Sequence, residues 1–246
     1  MAQSIGDSSS SIGDGIEADP GAWSFRGPGV ASAFDRHVGL SVPGYDALQR
    51  LVARLSTYFL PAGGVHVDWG CSTGRTIAEV AAANPGRGVR HVGVDESEAM
   101  VARARERLGS SAELHALPLL ACRLPPRVHL ITALYVLQFT EPSDRVDALR
   151  LAAAALAPGG ALVLAEKTLP GDPELVCPFQ DVLWDEKADN GYTPAEVAAK
   201  ARSLRGVLRP LPAAEVERAL AAAGLRATRF WQHLMFCAWV AIKETR

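Results

Sequence analysis

The sequence predicts an α/β protein built on a doubly wound, mostly parallel, seven-stranded sheet that closes with an antiparallel hairpin. Three observations point there. From Val65 to Ala165, short apolar runs alternate with amphipathic stretches, the order that gives parallel strands joined by right-handed helical crossovers. The run Val128-His129-Leu130-Ile131-Thr132-Ala133 is nearly continuous in apolar character, as expected of a strand covered on both faces. Past Gly224, two β-rich runs at 227–233 and 236–242 stand close enough to pair as a hairpin.

Each element has its own signal. Residues 1–20, rich in Ser, Gly and Asp, read as a disordered tail, and 21–246 as a single domain, since 246 residues suit one large α/β core. Phe34-Asp35-Arg36-His37 leads to Ser41-Val42-Pro43-Gly44-Tyr45, after which Leu48, Leu51, Val52, Leu55 and Phe59 recur at helical spacing. A strand over 65–69 and a helix over 75–83 follow, stopped by Asn84-Pro85-Gly86. A strand over 89–94, a helix over 98–108 ended by Gly109, a strand over 113–117 and the buried strand over 128–133 come next. Ser143 is placed to cap a helix through Leu149 and Leu156, which Pro158-Gly159-Gly160 ends before a strand over 161–165. The alternation then breaks into a helical insertion, 167–210, where Thr193-Pro194-Ala195-Glu196 forms a capping box. A helix near 212–223 ends at Gly224.

Composition excludes whole classes of partner. A net charge of −2 with scattered Lys and Arg gives no basic stripe for neutralising phosphates, so no nucleic acid is expected. The four cysteines, at 71, 122, 177 and 237, form no C-x-x-C and have no nearby His at ligand spacing, so they read as reduced thiols of a cytoplasmic protein without a metal site. Neither a membrane-length apolar run nor a basic-then-apolar leader is present. A small-molecule substrate is the expectation.

The chemistry is concentrated in Val65-His66-Val67-Asp68-Trp69-Gly70-Cys71-Ser72-Thr73-Gly74, followed by Val92-Gly93-Val94-Asp95-Glu96. A strand runs into a glycine turn that lets backbone approach a ligand, and the next strand ends in a carboxylate suited to a ribose diol. The spacing Gly70-x-x-x-Gly74 followed by Arg75 lacks the third glycine of a pyrophosphate cradle. A phosphate-free nucleoside fits better, and S-adenosyl-L-methionine (SAM) is the commonest. Asp68, Gly70, Cys71, Ser72, Gly74, Asp95, Glu96 and Leu134 are the candidate cofactor contacts, because strand tips near the switch point of such a sheet converge on one crevice.

With these residues assembled, the chain resembles the carboxy-S-adenosyl-L-methionine synthases, a branch of the class I SAM-dependent methyltransferases with their Rossmann-like fold. The resemblance runs from about residue 20 to 243 and rests on Ser41-Val42-Pro43-Gly44-Tyr45, Gly70-Cys71-Ser72-x-Gly74, Val94-Asp95-x-Ser97-x-Ala99-Met100, Leu137-Gln138-Phe139-x-Glu141-Pro142-Ser143, Gly159-Gly160-Ala161-Leu162-Val163-Leu164-x-Glu166-Lys167, Asn190-Gly191-Tyr192 and Lys200-x-Arg202-Ser203-Leu204. In that family SAM is a substrate: a carboxyl group leaves prephenate and is captured by the sulfonium ylide. The resemblance implies that Arg202, reaching in from a second subunit of a homodimer, and Tyr45 hold a carboxylate, a task for which a guanidinium fork and a phenol are suited. Three positions depart from the family: Leu134 stands in place of an Asn, 114–126 hold no acid where one reads the adenine, and Trp184 replaces a His.

Three chemistries stay open on the residues. Carboxylation of SAM uses Tyr45 and Arg202. Methyl transfer to a small acceptor needs only proximity and suits the apolar and aromatic Leu134, Tyr135 and Trp184. Cyclisation of SAM, releasing methylthioadenosine, is favoured by a dry pocket that lowers an amine's pKa. The six histidines read as hydrogen-bonded structural residues, and Trp231 and Trp239 as core or dimer contacts.

Overall fold

A computed structural model describes residue 21, residues 23–25 and residues 28–243; the tail expected at 1–20 lies outside them. The chain runs α1 (Pro28–Ser41), α2 (Tyr45–Phe59), β1 (Val65–Trp69), α3 (Arg75–Ala83), β2 (Arg90–Asp95), α4 (Glu98–Leu108), β3 (Ala112–Ala116), β4 (Val128–Leu134), α5 (Pro142–Ala155), β5 (Leu156–Leu169), α6 (Val176–Asp189), α7 (Pro194–Ser203), β6 (Leu211–Pro212), α8 (Ala213–Ala222), β7 (Leu225–His233) and β8 (Phe236–Lys243). The sheet order is β3-β2-β1-β4-β5-β8-β7, with the two-residue β6 beside the end of β5. β1 to β5 are mutually parallel, and β8 pairs antiparallel with β5 and with β7. The order reverses between β1 and β4, the switch point at which sheets of this kind take their ligands.

Side-chain alternation divides the core into two layers. On β5, Leu162 and Leu164 enter a cluster with Val67, Trp69, Ile131, Leu149, Leu220 and Trp239 beneath α5 and α8. Ala161, Val163 and Ala165 face Leu48, Val52 and Val80 of α2 and α3 on the other side. The small residues on this second face let α2 lie close to the sheet. Val67, Trp69, Ile131, Leu162 and Trp239 have no meaningful solvent exposure, and each such side chain contributes roughly 1.5–3 kcal/mol of burial.

Several expectations are corrected. Leu156 opens β5 rather than closing α5, because its Cα is already in register with Val128 of β4. Pro158, Gly159 and Gly160 form an irregularity inside the strand, after which Leu130 pairs with Ala161. Ser143 is not the cap of α5: the cap position is Glu141, Pro142 starts the helix, and the Ser143 hydroxyl donates to Asp144. Five full strands are parallel, as the alternation implies, and β3 begins at Ala112 rather than at 113. Lys167, expected in the insertion, belongs to β5. The capping box of α7 forms as expected, with Thr193 and Glu196 bonded reciprocally.

Candidate active site

The tip of β1 turns at Gly70 with φ of 78°. A Cβ here would overlap the side-chain methyls of Val136, so glycine is needed both for the left-handed backbone and because the loop after β4 crosses directly above. The amides of Gly70 and Cys71 both donate to the Val94 carbonyl, at 2.7 and 2.9 Å, which ties the turn to β2. Gly74, also at φ of 78°, packs against Leu108 of α4, which a Cβ would approach to 2.7 Å. Between them Ser72 holds φ of 47° and points its amide at Asp95 Oδ2, 2.9 Å away. The Ser97 amide donates to Asp95 Oδ1 at 2.9 Å. Each carboxylate oxygen of Asp95 thus holds one backbone N–H and keeps capacity for another donor, while burial pushes its pKa up. Glu96, beside it, is exposed.

Asp68, one pleat back from the turn, is 2% exposed. Thr132 donates to its Oδ1 at 2.6 Å, and its Oδ2 has no partner among the described residues. Behind it lie His66 Nε2, 2.9 Å from the Thr132 hydroxyl, and His91 Nδ1, 3.0 Å from His66 Nδ1. Since the Thr132 proton goes to the carboxylate, the hydroxyl oxygen accepts from His66 Nε2–H and His66 Nδ1 accepts from His91. The donors therefore run in one direction across β2, β1 and β4 toward Asp68. Burial, with the neighbouring His91, drives the His66 pKa down to about 3, so the imidazole stays neutral. Burial, opposed by the Thr132 bond and assisted by the Asp95 charge, raises Asp68 to about 7.

A wall of aromatic rings stands beside these carboxyls. Tyr135 follows β4 with φ of 62°, is buried, and leaves its hydroxyl without a partner among the described residues. Its ring lies 6.2 Å from Tyr45 and 5.9 Å from Phe236. Burial raises both phenols, Tyr45 to about 12. The Arg75 guanidinium sits 5.3 Å from the Tyr45 ring centroid and pairs with Asp46 at 2.8 Å. Gly44, before Tyr45, is held against Trp231, whose ring a Cβ would approach to 2.8 Å; this fixes the start of α2. Leu134 packs in the same cluster as Tyr45 and Leu48, and buried Glu166, raised to about 8 chiefly by burial, receives the Leu137 amide at 3.0 Å and so pins the loop after β4.

The N-terminal segment crosses these strand tips. The Ser97 hydroxyl donates to the Phe25 carbonyl at 2.7 Å, and the Phe25 ring is 4.9 Å from Phe139. Asp35 of α1 takes the Thr73 hydroxyl at 2.6 Å and ion-pairs with Arg107, whose guanidinium also donates to the Thr73 carbonyl at 2.8 Å.

Residues 67–162 match the family described as a methyltransferase domain. A carboxy-S-adenosyl-L-methionine synthase from Methylococcus capsulatus is 34% identical over 88% of this chain and 92% of its own length. The chain belongs to the carboxy-S-adenosyl-L-methionine synthase family. A synthase of the same name from Pseudomonas aeruginosa is 32% identical, over 87% of this chain and 90% of its own. The crystal structure of human N-acetylserotonin methyltransferase in complex with SAM superposes with a TM-score of 0.62 at 18% identity, over 90% of this chain and 58% of that one, which shows the class I methyltransferase fold. Membership makes the chain a SAM-dependent transferase.

Of the residues expected from the sequence, this carboxy-SAM synthase family member brings Asp68, Gly70, Cys71, Ser72, Gly74 and Asp95 together at the tips of β1 and β2, with Tyr45, Leu134 and Tyr135 alongside. Cys71 is buried, and burial with the neighbouring Asp68 and Asp95 raises its thiol pKa, which keeps it protonated. Arg202 and Trp184 are not part of this grouping: Arg202 is exposed at the end of α7, and Trp184 is 40% exposed on α6. Sequence reasoning missed Arg75, although it directly follows Gly74, and the roof made by Phe25 and Asp35. It also missed the lysines of the insertion side, of which Lys167 and Lys200 stood inside motifs already singled out. Among the described residues no helix is long and apolar enough to cross a membrane.

Proposed function

We propose that this chain carboxylates SAM with a carboxyl group taken from prephenate, and that it does so as a homodimer. The observation that carries the reading is the reach of the family match: the relative from Methylococcus capsulatus aligns over 223 residues, well beyond the methyltransferase domain at 67–162, so it includes the second-substrate side of the molecule and not only the cofactor fold.

The residues suit the parts. Asp95 offers its free lone pairs to the ribose diol, and the unpartnered Oδ2 of Asp68 suits the ligand's ammonium group. The Gly70–Gly74 turn provides close backbone approach without side chains. Tyr45 and Tyr135 supply aromatic faces for the sulfonium cation. The step balances as follows. The bond from the prephenate ring to its carboxyl carbon breaks; the electron pair enters the ring and expels the ring hydroxyl as hydroxide. Hydroxide takes a proton from the sulfonium methyl, giving water and the ylide, and the ylide carbon bonds to the carbon dioxide. The protein's part is to hold both reactants in a space where water is excluded. Exposed Arg202, with Leu175, Val182 and Trp184 exposed on and before α6, suits an arginine that enters a neighbouring subunit's site across an apolar contact. Trp184, at that position, belongs to the subunit contact rather than to a pocket for a methyl acceptor.

The test is product mass. Incubation with SAM and prephenate is expected to yield SAM carrying one added carboxyl, and incubation with SAM alone to leave it unchanged. Methylthioadenosine from SAM alone, or a methylated third compound with no need for prephenate, would overturn the reading.

A further inference from the structure

On the insertion side of the site, three lysines act on one another, and among the described residues none has a carboxylate as a salt-bridge partner. Lys200 of α7 is 8% exposed; its ammonium donates to Ser41 Oγ at 2.6 Å, touches His37 Nε2, and lies 5.4 Å from the Trp23 ring centroid. His37 is held on its other nitrogen by the Tyr192 hydroxyl at 3.1 Å. Lys167, near the end of β5, reaches Gln180 of α6 at 3.2 Å and stands 5.8 Å from the Phe236 ring centroid. Lys187 falls two turns after Gln180 on α6, the spacing that puts both on one face. The charges that depress Lys200 after burial are Lys187 and Lys167, and Lys167 acts likewise on Lys187. No carboxylate is among the groups acting on them, whereas the nearby acids are engaged elsewhere: Glu186 by His233 at 2.6 Å and Glu196 by the capping box. Like charges gathered out of water are costly unless an anion joins them.

The position of the group identifies the anion. Phe236 lies between Lys167 and Tyr135, at 5.8 and 5.9 Å, so Lys167 links the group of lysines to the aromatic wall beside the strand tips. We propose that Lys167, Lys187 and Lys200 form the receiving site for the carboxylate that the organic acid keeps, while Tyr135 and Phe236 flank its ring. The kept carboxylate is the one meant because ammonium groups on the departing one would stabilise the ground state against decarboxylation. His37 and Ser41 serve as positioning residues: they occupy two of the three Lys200 donors and leave one for the ligand.

This inference rests on the carboxylation reading, and the experiment separates the two. Prephenate is the probe, applied to the full chain by calorimetry and, with SAM, by product mass. Lys187→Gln is expected to weaken prephenate binding and raise its KM by about tenfold or more, the loss of one charge-assisted hydrogen bond, while SAM affinity is unchanged; Lys187→Arg should recover most of it. Lys200→Met should behave like Lys187→Gln, and because Lys200 is buried its thermal midpoint is measured alongside; Lys187, half-buried, carries the test if that variant does not fold. Unchanged prephenate affinity in Lys187→Gln, or no prephenate binding to the unsubstituted protein, overturns the site. Prephenate binding that depends on Lys187 without formation of carboxylated SAM supports the site and overturns the reaction instead.

Discussion

Asp68 shows how a single residue couples burial to function. Its carboxyl is raised from the ordinary 3.8 to about 7, chiefly by burial, so below that pH the folded protein carries a proton there which an ammonium ligand must displace. SAM affinity is therefore expected to tighten by up to about tenfold per pH unit as pH rises toward 7, to level off above it, and to fall again near pH 8 as the ligand's own amine loses its proton. Asp68→Asn should flatten the acid limb; an identical limb in that variant, read by calorimetry across the range, would move the effect to another group. The same carboxyl destabilises the unliganded fold as pH rises from the unfolded value to about 7, because across that window the native state binds more protons than the unfolded one. Asp68 and Asp95 were legible in the sequence because a strand-turn-helix unit fixes them locally. Arg75 over Tyr45, or Lys200 against His37 and 163 positions away in the chain, became visible only with the tertiary fold, since neither pair shares an element.

Among the elements, the β1–α3 turn is the most constrained. Gly70→Ala adds a left-handed alanine and an overlap with Val136, together expected to cost about 2–4 kcal/mol and to weaken SAM by displacing the turn. Val136→Ala in the same chain should restore part of both, because it removes the two methyls that overlap and leaves the backbone strain with a 3.2 Å contact to Cβ; purely additive losses in denaturant melts would mean that the two residues do not meet. Strand order and most helices were readable from hydrophobic periodicity, and the α7 cap from its four-residue signature. Helix α1 was not. Its stretch carries Gly29 and Gly39 and β-branched valines, a weak local preference that is overridden because Ala31, Phe34 and Val38 have a core to enter. The early start of β5 was hidden for a similar reason: Leu156 is as good a helix residue as a strand residue, and only its pairing with Val128 decides.

At the scale of the whole molecule, the proposed homodimer gives exposed Arg202 its test. Arg202→Ala is expected to leave the mass measured by light scattering and the SAM affinity the same as in the unsubstituted protein while carboxylation drops sharply; full activity in this variant would remove the arginine from the reaction. The cofactor side and the lysine side are also joined by one continuous piece of chain. Residues 23–25 and 28–41 touch Ser97 and Thr73 on the cofactor side, through Phe25 and Asp35, and Lys200 on the other, through His37 and Ser41. The same strap therefore borders both the site proposed for the nucleoside and the one proposed for the acid. With Tyr135 standing between Tyr45 and Phe236, and the strap touching both sides, each reactant is expected to lengthen the residence time of the other.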